Sequence, residues 1–202
     1  MNLGERLEAL AEAESLPGEY PGMAMRWFMP LAEWLVARRA SVGGGALLVG
    51  VNGAQGTGKT TCCSVLELML ESLGVTAVTL SLDDFYLDRS ARRLLARVVH
   101  PLLETRGVPG THEVERLEEV LDTLVMRASA RVPVFDKAQD DRAPEADWKT
   151  VQPGDIVLVE GWCVGARAQP DAALDEPLNE LEAEKDSDGR WRRYVNEQLQ
   201  GP

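Results

Sequence analysis

Between Tyr20 and Arg39, apolar residues recur at spacings near three and four: Met25, Phe28, Met29, Leu31, Leu35 and Val36, with Trp34 beside them. That period predicts an amphipathic helix whose apolar side packs into a core. Ser41-Val-Gly-Gly-Gly breaks the period, and Ala46 to Asn52 follows as a short apolar run of the kind found in parallel strands covered on both faces. Thr60 to Leu73 returns to helical spacing and stops at Gly74, after which Val75 to Leu82 is β-branched and apolar. The three segments form a β-α-β unit, and the chain is read as α/β with a right-handed crossover.

Further along, Arg89 to Val99 and Glu113 to Ala130 carry helical periodicity, the second through Leu117, Val120, Leu121, Leu124 and Val125. Arg131 to Phe135 is a short extended piece that Pro133 keeps out of a central sheet position. Asp155 to Glu160, introduced by Pro153-Gly154, is the last core strand. The acidic stretch from Asp171 to Asp188 is expected to be a solvated loop before a final helix from Trp191 to Leu199.

With 202 residues the chain is long enough for one domain with a real core. Lysine and arginine number 21 against 33 acids, a net charge of −12, which argues against a broad basic face for nucleic acid. No apolar run reaches bilayer-spanning length, and the N-terminus is acidic where a secretory signal would be basic, so a cytoplasmic protein without a membrane partner is expected. Cys62, Cys63 and Cys163 lack metal-ligand spacing and read as small apolar fillers.

Gly53-Ala54-Gln55-Gly56-Thr57-Gly58-Lys59-Thr60 matches G-x-x-x-x-G-K-[ST], and it lies directly between a predicted strand and a predicted helix, with Thr61 next. Glycines let backbone N–H groups close around phosphate oxygens, and the helix N-terminus adds partial positive charge. Lys59 neutralises the β and γ phosphates and Thr60 is placed to ligate Mg²⁺. ATP and Mg²⁺ are the cofactors this predicts.

The downstream acids decide what receives a phosphoryl group. Ser81-Leu-Asp83-Asp84-Phe-Tyr86 lies at the C-terminal end of the second core strand, the edge where doubly wound sheets bind ligands. Alternation points Asp83 and Asp84 differently, so one faces the acceptor while the other serves the metal or a helix cap. Glu160 ends the third core strand, where a phosphate-loop fold places a metal-facing acid. Arg106 to Glu113, with His112, and Phe135 to Arg142, with Asp136 and Lys137, supply local positive charge in an acidic chain. No Asn-Lys-x-Asp motif is present, and the third strand ends in Glu-Gly, which disfavours a GTPase switch.

GAQGTGKTT, SLDDFYL, RGVPGTHE, PVFDKAQDDR with Pro144 and Trp148, VLVEGWCVGA and a late WRRYVNEQL occur in that order. On these blocks the chain resembles the D-glycerate 3-kinase branch of the P-loop kinases, related to uridine kinase, phosphoribulokinase and bacterial pantothenate kinase. The resemblance implies a P-loop NTPase-like three-layer α/β/α fold with a mostly parallel sheet. It also implies one kinase domain over 1–202: a helical segment 1–40, a nucleotide-binding core 41–165 with acceptor-site insertions, and an acidic loop with terminal helix 166–202.

The implied activity is ATP-dependent phosphorylation of a hydroxyl of D-glycerate. Asp83 would be the base toward that hydroxyl, Glu160 the acid near magnesium, and Lys59 the third catalytic group. Thr60, Asp83 and Glu160 are the implied metal ligands. Asp84, Tyr86, Arg106, His112, Asp136, Lys137 and Arg142 are expected around the acceptor. A nucleoside, pantothenate or another sugar-like alcohol is the alternative acceptor, and a non-catalytic ATP-binding remnant is the alternative class. Glu113 stands where that family more often shows Asp. The chain ends at Pro202, where relatives continue with another core strand and a lid, so the sheet is expected to be incomplete, with the phosphate-loop strand at an open edge. The bare chain is expected to be weakly stable or poorly active.

Overall fold

A computed structural model describes residues 1–201; Pro202, and the expectation attached to it, lie outside the described residues. The elements in chain order are α1 (Leu3–Ala13), α2 (Tyr20–Ala40), β1 (Leu47–Asn52), α3 (Lys59–Ser72), β2 (Ala77–Ser81), α4 (Arg89–Val98) and α5 (Val114–Val125). They continue with β3 (Ala130–Val132), β4 (Phe135–Asp136), β5 (Asp141–Arg142), β6 (Lys149–Val151), β7 (Ile156–Gly161), α6 (Glu180–Lys185) and α7 (Arg190–Glu197). None of the described helices is long and apolar enough to cross a membrane. Two compact units are resolved, one of residues 1–81, 118–132 and 150–164, the other of 82–117, 133–149 and 165–201.

The first unit is built on a parallel sheet of order β1-β7-β2. The continuous run Ile156–Gly161 is buried at every position, so the last core strand in sequence is the middle one in space, covered on both faces. α3 lays Cys63, Leu66 and Leu70 against the sheet side, and α1 and α2 pack on α3. Cys63 is buried and fills the core as expected, its thiol pushed up to about 12 chiefly by burial, which keeps it protonated and inert.

Two expectations change here. β1 is parallel, but it is not covered on both faces. Leu47, Val49 and Val51 pack toward the core, while Leu48 is 47% exposed and Gly50 and Asn52 also face out. β1 lies at one edge of the sheet among the described residues. The helix expected to reach Ala130 ends at Val125, because Arg127 turns left-handed at φ 64° and donates to Gly154 O and Asp155 Oδ1. With Thr76 also bonding it, Asp155 is held down at about 2.

In the second unit, the acidic stretch is not the expected solvated loop. It contains α6, and Asp186 is fully buried, accepting from the Trp191 and Arg192 amides and pairing with Arg192 Nη1 at 3.0 Å. Arg192 in turn donates to Leu174 O, so an acid in this run fixes the start of α7.

Candidate functional site

In the first unit, β1 leads through Gly53–Gly58 into α3. Gly56 and Gly58 have φ of 75° and 81°, values at which a side chain is strained. At Gly53 a Cβ would sit 2.8 Å from Thr57 Oγ1, so a side chain there would push aside the hydroxyl that closes the loop. Thr57 Oγ1 donates to Ala54 O at 2.8 Å and Lys59 Nζ donates to the same carbonyl at 3.1 Å, closing the loop on itself. The first turn of α3 has no side-chain cap, so its amides remain available to an anion.

Parallel register places Val51, Glu160 and Ser81 in one row across β1, β7 and β2. Glu160 is 6% exposed, and its Oε1 accepts from Ser81 Oγ at 2.7 Å and from Thr60 Oγ1 at 3.3 Å. A buried carboxylate beside a hydroxyl on the phosphate-loop helix is an oxygen-only donor set, which fits the hard Mg²⁺ ion. The sequence reading missed Ser81. Its signal was the strand end preceding the two acids, but the hydroxyl counts only once the register is known.

In the second unit, the turn Leu82–Phe85 carries the two acids, and they do point differently. Asp83 Oδ2 accepts from Lys137 Nζ at 2.7 Å, both side chains being partly exposed. Asp84 turns inward and accepts from the Phe135 amide at 3.2 Å, its carboxyl raised above the usual range by burial. The cap of α4 is Asp88, not Asp84. Asp136 accepts from the Ala138 and Gln139 amides at 2.9 and 3.0 Å, shaping the turn that carries Lys137.

Tyr86 stacks on His112 with ring centroids 4.3 Å apart and meets the edge of Phe135 at 5.3 Å. His112 is buried, its Nε2 has no hydrogen-bond partner, and desolvation lowers its pKa to about 4, against the opposing charge of Asp83. Arg142 pairs with Glu113 at 2.5 Å and donates to Tyr86 O, and Arg106 pairs with Asp140. Arg106, Lys137 and Arg142, expected around an acceptor, are therefore each matched to an acid of the same unit, whereas His112 pairs with none. Lys137 is the most exposed of these cations, at 62% of its side chain, against 30% for Arg106 and 16% for Arg142.

Arg92, which the sequence reading left unused, holds this cluster together. It is 1% exposed and donates to Leu87 O, Glu104 O and Asp140 O, and it pairs with the Asp140 carboxylate at 3.1 Å. Its guanidinium and that of Arg106 both lie over the Phe135 ring.

No family model matches the chain. Over 132 residues it is 37% identical to the Schizosaccharomyces pombe uncharacterized kinase mug58, covering 60% of this chain and 48% of that protein. It is 31% identical to the chloroplastic D-glycerate 3-kinase of Arabidopsis thaliana over 169 residues, 74% of this chain and 36% of the relative. The chain thus spans about half or less of these relatives' length. The solved D-glycerate 3-kinase of Cryptococcus neoformans superposes with a TM-score of 0.69 at 28% identity, over 88% of this chain and 67% of that one. The parallel sheet, the glycine loop and these likenesses, which extend to a uridine kinase and to pantothenate kinases, make the chain a homologue, over part of their length, of the P-loop small-molecule kinases.

Proposed function

We propose that the chain transfers the γ-phosphoryl group of ATP to a hydroxyl of D-glycerate. The observation that carries this is the Asp83–Lys137 pair, which stands two residues beyond the end of β2, on the strand that supplies Ser81 to Glu160. Asp83 accepts the acceptor's hydroxyl proton as its oxygen attacks the γ phosphorus, the bond to the β-γ bridging oxygen breaks, and ADP leaves. Lys59 swings from Ala54 O to the phosphate oxygens, and the loop amides hold the triphosphate in line. Thr60 and Glu160 would hold magnesium, which would supply charge neutralisation on the transferred group.

Lys137, exposed and already beside Asp83, is the cation best placed to meet the carboxylate of a small hydroxy acid. Arg106 and Arg142 shape the surrounding loops through their ion pairs. The D-glycerate 3-kinase relative supports this acceptor, and the uridine and pantothenate kinase relatives supply uridine and pantothenate as the competing acceptor classes. Measuring ADP release with D-glycerate, uridine and pantothenate separates them. Stimulation by D-glycerate above the other two is expected. Stimulation by uridine or pantothenate instead would move the proposal to that acceptor, and ATP binding with no product from any alcohol would leave a nucleotide-binding remnant.

A further inference from the structure

Lys137 stands on a turn whose backbone is tied down while its own side chain reaches into the open. β4 and β5 pair antiparallel, Phe135 opposite Arg142 and Asp136 opposite Asp141. Asp141 Oδ1 accepts from the Arg89 amide at 2.8 Å and from the Arg142 amide at 2.9 Å, and the Arg89 guanidinium donates to Gln139 O. Asp140 is left-handed at φ 51°; its carbonyl accepts from Arg92 Nη2 at 2.6 Å, and Arg92 and Arg106 both grip its carboxylate. With the turn fixed in this way inside the second unit, the motion left to Lys137 is that of its own side chain.

The resting partner of that side chain is Asp83, whose Oδ2 lies 2.7 Å from Lys137 Nζ. Both side chains meet water, so solvent screens the pair and two flexible groups must be held still to make it. The pair is therefore weak and exchangeable. Lys137 also acts, with Lys149, on the neighbouring Asp84 carboxyl, so one mobile cation offsets two adjacent acids. An anionic acceptor that arrives beside those acids needs this cation, and a neutral alcohol does not. A carboxylate that displaces water from the ammonium makes a stronger bond to it than the screened resting pair does.

We propose that Lys137 selects an acid acceptor by exchanging partners: at rest it occupies the Asp83 oxygen, and the carboxylate of an arriving hydroxy acid draws it off, freeing that oxygen for the acceptor's hydroxyl. The inference rests on the phosphotransfer reading above, with Asp83 as the base, and adds what decides which alcohol reaches that base. The exchange makes and breaks only hydrogen bonds. The transfer then runs as described: the hydroxyl proton passes to Asp83, the oxygen bonds the γ phosphorus, the bond to the bridging oxygen breaks and ADP leaves. Glycerol carries the hydroxyls without the carboxylate, so it has nothing with which to draw off Lys137. Water lacks it too, so the resting pair also holds down the loss of ATP to hydrolysis.

The test follows ADP release from Mg-ATP with D-glycerate, with glycerol and with no alcohol, on the full chain and on its Lys137→Met and Lys137→Arg variants. Thermal melts confirm that the variants are folded. Lys137→Met should raise the KM for D-glycerate by about tenfold or more, the scale of one charge-assisted hydrogen bond. It should also raise glycerol turnover and the rate without alcohol by up to about fivefold, the hold of an exposed ion pair. Lys137→Arg keeps a cation and should keep the preference for the acid. Turnover of D-glycerate and glycerol falling together in Lys137→Met would make Lys137 a mere support of Asp83 and overturn the exchange, and an unchanged KM for D-glycerate would overturn it equally, both leaving the phosphotransfer reading in place. Phosphorylation of neither alcohol by the wild type overturns that reading, and the exchange with it.

Discussion

Ser81 Oγ donates to Glu160 Oε1 at 2.7 Å across paired positions of two parallel strands, and Thr60 Oγ1 reaches the same oxygen from the phosphate-loop helix. Ser81 therefore fixes the rotamer of the acid that would hold magnesium. Ser81→Ala should raise the Mg²⁺ concentration needed for half-maximal nucleotide binding by about tenfold, the usual cost of losing an outer hydrogen bond to a metal ligand. Glu160→Gln should raise it more. A magnesium titration at fixed ATP reads both, and an unchanged midpoint in Glu160→Gln would remove that residue from the metal.

Asp83→Asn removes a base and keeps the shape of the side chain. Turnover should fall by about 10² to 10⁴, the span of general base catalysis, while ATP affinity changes little. Steady-state kinetics beside calorimetry separates the two quantities. Retained turnover would take Asp83 out of its proposed role.

His112 links stability to pH. Its folded pKa of about 4 lies below the ordinary 6.5, so the unfolded chain binds more protons between those values. Its contribution is complete above the upper value and is lost as pH falls through the window. Between pH 7 and 5 the loss should be about 2 kcal/mol. His112→Phe keeps a ring against Tyr86, removes the buried, unpartnered Nε2 and should flatten this acid limb in denaturant melts.

Arg92→Met leaves three carbonyls without their donor and Asp140 without its buried partner. A loss of about 3 kcal/mol or more is expected, read as a lower thermal midpoint. Arg92→Lys restores the charge but cannot reach all three carbonyls, and should recover only part of the loss.

Elements with self-sufficient local signals were legible in the sequence. The glycine loop between a strand and a helix announces itself, and the unbroken run from Ile156 reads as a core strand, although its central place shows only in the sheet order. Features made by partners distant in sequence were not legible. Asp186 looks like one more solvated acid until Arg192 folds over it, and α5 stops at Val125 because Arg127 finds Gly154 and Asp155. In the candidate site, Asp83, Asp84 and Glu160 stood out as acids at strand ends. Arg92 hid in the polar series Arg-Ser-Ala-Arg-Arg, where only the packing shows which arginine turns inward.

The central claim, that this chain moves a phosphoryl group from ATP to an alcohol, is tested most directly by following ³¹P resonances of Mg-ATP with D-glycerate and the wild-type chain. The account predicts a phosphomonoester signal that grows as the γ resonance declines, and that grows about 10² to 10⁴ times more slowly with Asp83→Asn. A γ resonance that persists, or that gives only inorganic phosphate, would contradict it.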